Sequence, residues 1–226
     1  MTQVYLLRHG QVDADAGLYG KTDVAVTLET NIKIMAELLK HQHHFTDVVS
    51  SPLRRCSTLA KQFSSKAQLR LTIIDDFQEM DFGALDGRTF DEISLSDEHN
   101  GINKIWHSLE RFWQAPAVNH LPEAELLNHF NQRIGHAWSQ LLKKYQGKTV
   151  LLVTHGGVIR TILANILELD HGNPKLYSQL SIDYASVTHI DHYDESNISR
   201  IKNISMPLAV LAFSSYKDST ITDPNK

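Results

Sequence analysis

A single cysteine in 226 residues, Cys56, rules out any intrachain disulfide and with it a small disulfide-stapled scaffold. Net positive charge is missing too. The 22 Lys+Arg against 26 Asp+Glu leave −4 at pH 7, so no global basic field draws the chain to nucleic acid or to an acidic membrane surface; only a local basic pocket is compatible with that sum. Long apolar runs are absent. The densest late stretch, Pro207 to Phe213, is far short of the roughly 20 residues that span a bilayer, and no basic region with a long apolar stretch precedes Val4-Tyr5-Leu6-Leu7. The expectation is a soluble protein of the reducing cytoplasm, without nucleic-acid or membrane partners. What the chain does have is ordinary globular composition, 42% apolar and 21% charged, with about 95 apolar side chains to fill a core. Its length suggests one large domain or one domain with an insertion.

Two short apolar runs end alike. Val4 to Leu7 stops at Arg8-His9-Gly10, and Val150-Leu151-Leu152-Val153, within Lys148 to Thr154, stops at His155-Gly156-Gly157. Their length and β-branched content predict strands buried on both faces. Between them Ile32 to Leu39 reads as a helix, Val48-Val49 as a strand, and Ser51-Pro52 as a helix start with a capping serine and proline at the first helical position. Leu126 to Leu142 keeps helical spacing through Phe130, Ile134, Trp138 and Leu141, and Val158 to Leu167 continues as a helix. Ala185 to Tyr193 and Ile198 to Ile204 flank Asp194-Glu195-Ser196-Asn197 as a late hairpin. Alternation breaks between Asp75 and Pro122, where an acidic loop leads into Trp106, Phe112 and Trp113. The predicted fold is therefore an α/β three-layer sandwich with a mostly parallel central sheet and a helical cap insertion at about 76–122. One domain over residues 1–214 is expected, with Ser215 to Lys226, poor in apolar residues, as a mobile tail.

Ligands of open parallel sheets bind beyond the carboxyl ends of strands, so His9 and His155 face one crevice if their strands are neighbours. Gly10, Gly156 and Gly157 suit a strand-to-helix turn, through positive φ or through backbone N–H groups offered to an anion. Arg54 and Arg55 stand in the first turn of the helix after Ser51, where the macrodipole disfavours cations by about 0.3–1 kcal/mol each; an anion is expected nearby. Arg55 borders the buried side formed by Leu53, Cys56, Leu59 and Phe63, which makes it the better ligand. Arg8, His9, Arg55 and His155 together form a pocket for a dianionic phosphoryl group, with guanidinium forks for its oxygens and an imidazole as nucleophile. Neighbouring arginines disfavour imidazolium and stabilise the equatorial oxygens of an in-line transfer. No metal and no cofactor are expected: neither histidine has Cys, Asp or Glu at ligand spacing, and arginines repel a cation. A leaving alkoxide also needs a proton, and within Gln78-Glu79-Met80-Asp81-Phe82-Gly83 spacing leaves both Glu79 and Asp81 open.

From about Gln3 to Tyr193 the chain resembles the histidine phosphatase superfamily, also called phosphoglycerate mutase-like. Leu7-Arg8-His9-Gly10 is similar to the family's nucleophile motif, and Ser51-Pro52-Leu53-Arg54-Arg55-Cys56 to the segment carrying its other phosphate-binding arginine. Val153-Thr154-His155-Gly156-Gly157-Val158 resembles the second-histidine motif. The resemblance implies His9, Glu79 and His155 as catalytic residues, with Arg8, Arg55 and Gly156 on the phosphate, and it selects Glu79 over Asp81 as proton donor. It further implies hydrolysis of a small-molecule phosphate ester. Tyr19-Gly20-Lys21-Thr22-Asp23, Glu79 to Gly87 and Asp183-Tyr184-Ala185-Ser186-Val187 look most similar to α-ribazole phosphatases, which act late in cobalamin nucleotide-loop assembly. The implied alternatives are a phosphoglycerate mutase, a broad sugar-phosphate phosphatase or a catalytically silent phosphate-binding protein. The chain is read as showing no surplus of cations beyond the phosphate arginines for holding a bisphosphorylated acid, and Trp106, Phe112 and Trp113 suit stacking on a flat base or forming the cap's own core. Thr30 and Glu123-Ala124-Glu125-Leu126 stand where relatives usually have glycine and a Gly-Gly-Glu-Ser-like stretch.

Overall fold

The computed structural model describes residues 1–98 and 104–210, so the expected tail at Ser215 to Lys226 lies outside the described residues. Strand β1 (Thr2–Arg8) shows why the sheet forms a middle layer: Val4 and Leu6 enter one apolar cluster, Tyr5 and Leu7 another, because successive side chains point to opposite faces. After it come α1 (Leu28–Lys40), β2 (Asp47–Ser50), α2 (Arg54–Ala67), β3 (Arg70–Ile73), α3 (Phe90–Glu98), α4 (Lys104–Gln114), α5 (Leu127–Lys144), β4 (Thr149–Thr154), α6 (Gly156–Ile166), α7 (Lys175–Ser178), β5 (Ser186–Tyr193) and β6 (Ile198–Pro207). The strands lie in the order β3-β2-β4-β1-β5-β6. Pairing is parallel from β3 to β1, and β5 runs against both of its neighbours. Helices α1 and α2 cover one face through Ile34, Leu38, Leu59 and Phe63; α5 and α6 cover the other through Phe130, Ile134, Ile159 and Ile162. The three layers and the late hairpin agree with the sequence reading.

Several boundaries differ for physical reasons. Helix α1 starts four residues before Ile32, because Thr27 caps it by accepting from the Thr30 N–H at 3.3 Å, and Ile32 itself is 59% exposed. Ser51 does not cap α2. That helix begins at Arg54 behind Leu53, and the Arg54 N–H instead donates to Asp23 Oδ1 at 2.6 Å. The anion expected at this helix start is thus a carboxylate of the chain itself, favoured there by the macrodipole. Strand β3, whose Leu71 and Ile73 alternate with Arg70 and Thr72, is an element the sequence reading passed over, and it forms an edge beside β2. In the 76–122 region α3 and α4 turn their aromatic rings on one another: Trp113 meets Phe90 and Trp106 edge-on at 5.9 and 6.3 Å, and Phe112 is buried in the core shared with α5. Among the described residues no helix is long and apolar enough to cross a membrane.

Candidate active site

Strands β1 and β4 are neighbours, with Arg8 opposite Thr154, so His9 and His155 leave the sheet side by side. Their ring centroids are 5.2 Å apart. His9 is 5% exposed, and its Nδ1 lies 2.8 Å from the Gly10 carbonyl. A carbonyl only accepts, so Nδ1 carries the hydrogen and Nε2 keeps its lone pair. Burial, reinforced by the charges of Arg55 and Arg8, holds the His9 pKa down to about 3. The ring is therefore neutral across the physiological range, with a lone pair chemically able to attack phosphorus. His155 is completely buried and its pKa is lowered well below the ordinary value, first by burial and then by Arg55. Its two nitrogens are both engaged: Nδ1 accepts from Arg55 Nε at 3.2 Å, which leaves Nε2–H to donate to Ser51 Oγ at 2.7 Å. The serine taken for a helix cap fixes a histidine tautomer instead.

Arg8 donates through one terminal nitrogen to the Ile182 carbonyl and lies 3.8 Å over the Tyr184 ring. Its Nε is buried without a hydrogen-bond partner among the described residues. Helical spacing separates the other two arginines as expected, with Arg54 exposed and Arg55 1% exposed. Arg55 donates to the carbonyls of Tyr19, Gly20 and Thr22 as well as to His155, which engages four of its five N–H groups. Binding a phosphoryl oxygen through both arms would require the Tyr19–Thr22 loop to yield its carbonyls. A further cation went unnoticed in the sequence. Arg160, one turn along α6 from Gly156, has a terminal nitrogen 3.1 Å from where a Gly156 Cβ would stand, and Arg8 Nε is 3.4 Å from the same point. The i, i+4 relation between Gly156 and Arg160 was the available signal. The expectation of no cation beyond the two phosphate arginines is corrected by this residue.

None of Gly10, Gly156 and Gly157 has a positive φ, so their glycine identity serves close approach and not backbone strain. A Cβ on Gly157 would overlap Glu79 Oε1, and one on Gly10 would come within 2.5 Å of Thr30 Cγ2. Glu79 reaches into the site with Oε2 accepting from the Gly157 N–H at 2.9 Å and Oε1 from Met80 N–H at 3.1 Å. Asp81 faces elsewhere, pairing with Lys21 Nζ at 2.7 Å and accepting from the Gly83 N–H at 2.8 Å. All six expected residues thus lie around the start of α6. Tyr184, 44% exposed, brings an aromatic ring centroid to 5.6 Å from that of His9. Of the two departures, Thr30 packs directly behind Gly10, and Glu123, the first residue of the other, adopts a left-handed φ of 60°.

The histidine phosphatase superfamily (branch 1) matches residues 4–204 of this chain. A bifunctional protein of Mycobacterium tuberculosis is 30% identical over 210 residues, covering 89% of this chain and 54% of its own length, so the chain spans about half of that relative. A probable phosphoglycerate mutase of Salmonella arizonae is 26% identical over 204 residues, with 87% of each chain covered. Among solved structures, the YhfR protein of Bacillus stearothermophilus superimposes with a TM-score of 0.78 at 23% identity, covering 91% of this chain and 98% of that one. The α-ribazole phosphatase of Shigella flexneri does so at 0.75 and 19%, covering 94% and 100%. These likenesses establish the shared fold.

Proposed function

The chain belongs to the histidine phosphatase superfamily, and we propose that it is a phosphomonoesterase acting through a phosphohistidine on His9. One observation carries this reading: an imidazole with its Nε2 lone pair kept stands beside Arg8, whose buried Nε has no acceptor, at the N-terminus of α6. An unpaired buried N–H costs about 1–3 kcal/mol. A phosphoryl oxygen would accept from it, in a place where the helix dipole favours an anion. In the proposed reaction His9 Nε2 attacks phosphorus in line, the ester P–O bond breaks, and the leaving alkoxide takes a proton from Glu79. Water then attacks phosphorus, giving up a proton to the Glu79 carboxylate, the N–P bond breaks with its electron pair returning to His9 Nε2, and phosphate leaves with His9 restored. Arg8 and Arg55 balance the charge on the equatorial oxygens, and His155 sets the plane of Arg55 through their hydrogen bond. That distribution of charge supports a reaction without a metal.

The test is covalent. Turnover quenched without acid should show phosphate on His9 by mass spectrometry; undiminished turnover by His9→Ala overturns the mechanism. Chelators should leave activity intact and vanadate should inhibit, as a mimic of five-coordinate phosphorus. Activity lost to chelator and restored by a divalent ion would overturn the metal-independent part. For the substrate, α-ribazole 5′-phosphate is the finer reading. The exposed Tyr184 ring beside His9 supports it, whereas the aromatics of α4, packed on each other, lend it no support. Arg160 favours the rival, a small acid phosphate such as 3-phosphoglycerate. Steady-state kinetics should give α-ribazole 5′-phosphate a higher kcat/KM than 3-phosphoglycerate or fructose bisphosphates, and a preference for 3-phosphoglycerate, or migration of its phosphate, reverses the order.

A further inference from the structure

We propose that Arg133, paired with Glu125, is a positioning residue for the proton donor; this rests on the reading of Glu79 given above. Arg133 lies on α5, and Glu125 stands two residues before that helix. The guanidinium donates to both carboxylate oxygens of Glu125, from Nε at 2.7 Å and from one terminal nitrogen at 2.8 Å. Its remaining N–H groups donate to the backbone carbonyls of Asp76 at 2.7 Å, Gln78 at 2.9 Å and Glu79 at 3.1 Å. All five donors are therefore committed, two to an acid and three to one stretch of backbone that ends at the proton donor itself. Glu125 closes the other side. Its N–H donates to the Asp81 carbonyl at 2.9 Å, and its Oε2 lies 3.4 Å from the Asp81 N–H.

The pair thus holds the backbone on both sides of Glu79, while the Gly157 N–H holds the carboxylate at its far end. A side chain anchored at both ends has little freedom to leave the bond it must protonate, and proton transfer is steeply sensitive to such placement. The arrangement also explains why arginine stands there. Lysine offers three donors from one point and cannot span a carboxylate and three separated carbonyls at once. Phe130 supports the guanidinium from below, with its ring centroid 4.8 Å away.

The experiment compares ribose 5-phosphate, whose alkoxide needs a proton, with 4-nitrophenyl phosphate, whose phenolate leaves without one. Read as kcat/KM, which covers the steps up to transfer to His9 and omits the hydrolysis common to both esters, Arg133→Lys and Glu125→Gln should each slow ribose 5-phosphate about 10–10²-fold more than 4-nitrophenyl phosphate. In a Glu79→Gln background the same changes should shift the ratio no further, since the group being positioned is gone. The readout is a ratio of two rates from one sample, so a smaller folded fraction leaves it unaltered. Equal slowing of both esters by Arg133→Lys and Glu125→Gln, or a full additional effect in the Glu79→Gln background, overturns the positioning role. If Glu79→Gln itself lowers kcat/KM equally for both esters, it is the proton-donor reading that fails instead.

Discussion

Lowering the pH from 7.5 to 5.0 should weaken the fold through His9, and the size of the effect follows from its surroundings. Its pKa is about 3 in the folded protein against an ordinary 6.5, chiefly because burial, with Arg55 and Arg8 nearby, disfavours the imidazolium. Between those two values the unfolded chain binds the proton and the folded one does not. The contribution is therefore complete above pH 6.5 and is lost as pH falls from 6.5 toward 3. At about 1.36 kcal/mol per unit, the 1.5 units between 6.5 and 5.0 correspond to about 2 kcal/mol. His155 has the same sign and adds to the loss. Urea unfolding followed by tryptophan fluorescence at pH 7.5 and 5.0 measures the total, and His9→Gln isolates one share, because glutamine does not titrate. The variant should lose about 2 kcal/mol less than the native chain over this interval. Equal losses, or a His9 ring proton whose NMR shift titrates near pH 6.5, would refute the neutral buried imidazole on which the nucleophile assignment depends.

Gly157→Ala would place a methyl group in overlap with Glu79 Oε1. Hydrolysis of alkyl phosphates should then fall about 10–10²-fold relative to 4-nitrophenyl phosphate, and an unchanged ratio would mean that Glu79 tolerates displacement. Ser51→Ala removes the acceptor 2.7 Å from His155 Nε2 in a fully buried place. It should cost about 1–3 kcal/mol in urea unfolding, and a neutral result would argue against the tautomer that directs Nδ1 to Arg55.

Residue patterns alone determined the three-layer architecture, the burial of both strands that end in His-Gly, and the choice of Arg55 over Arg54. Each of these depends on local pattern: an unbroken apolar run marks a strand buried on both faces, and helical spacing assigns one face of a helix. The resemblance to a family added Glu79, which spacing could not separate from Asp81. What only the tertiary structure decided are partners far apart in the chain. Ser51 meets His155 across 104 residues and so leaves its helix uncapped, Asp23 supplies the anion that caps that helix instead, and Arg160 joins Arg8 over Gly156. Most of all, Arg55 and Arg133 direct their forks at backbone carbonyls of the Tyr19–Thr22 and Asp76–Glu79 loops. Every residue carries a carbonyl, so such a contact leaves no mark on residue type or spacing, and it becomes visible only once the chain has folded around the arginine.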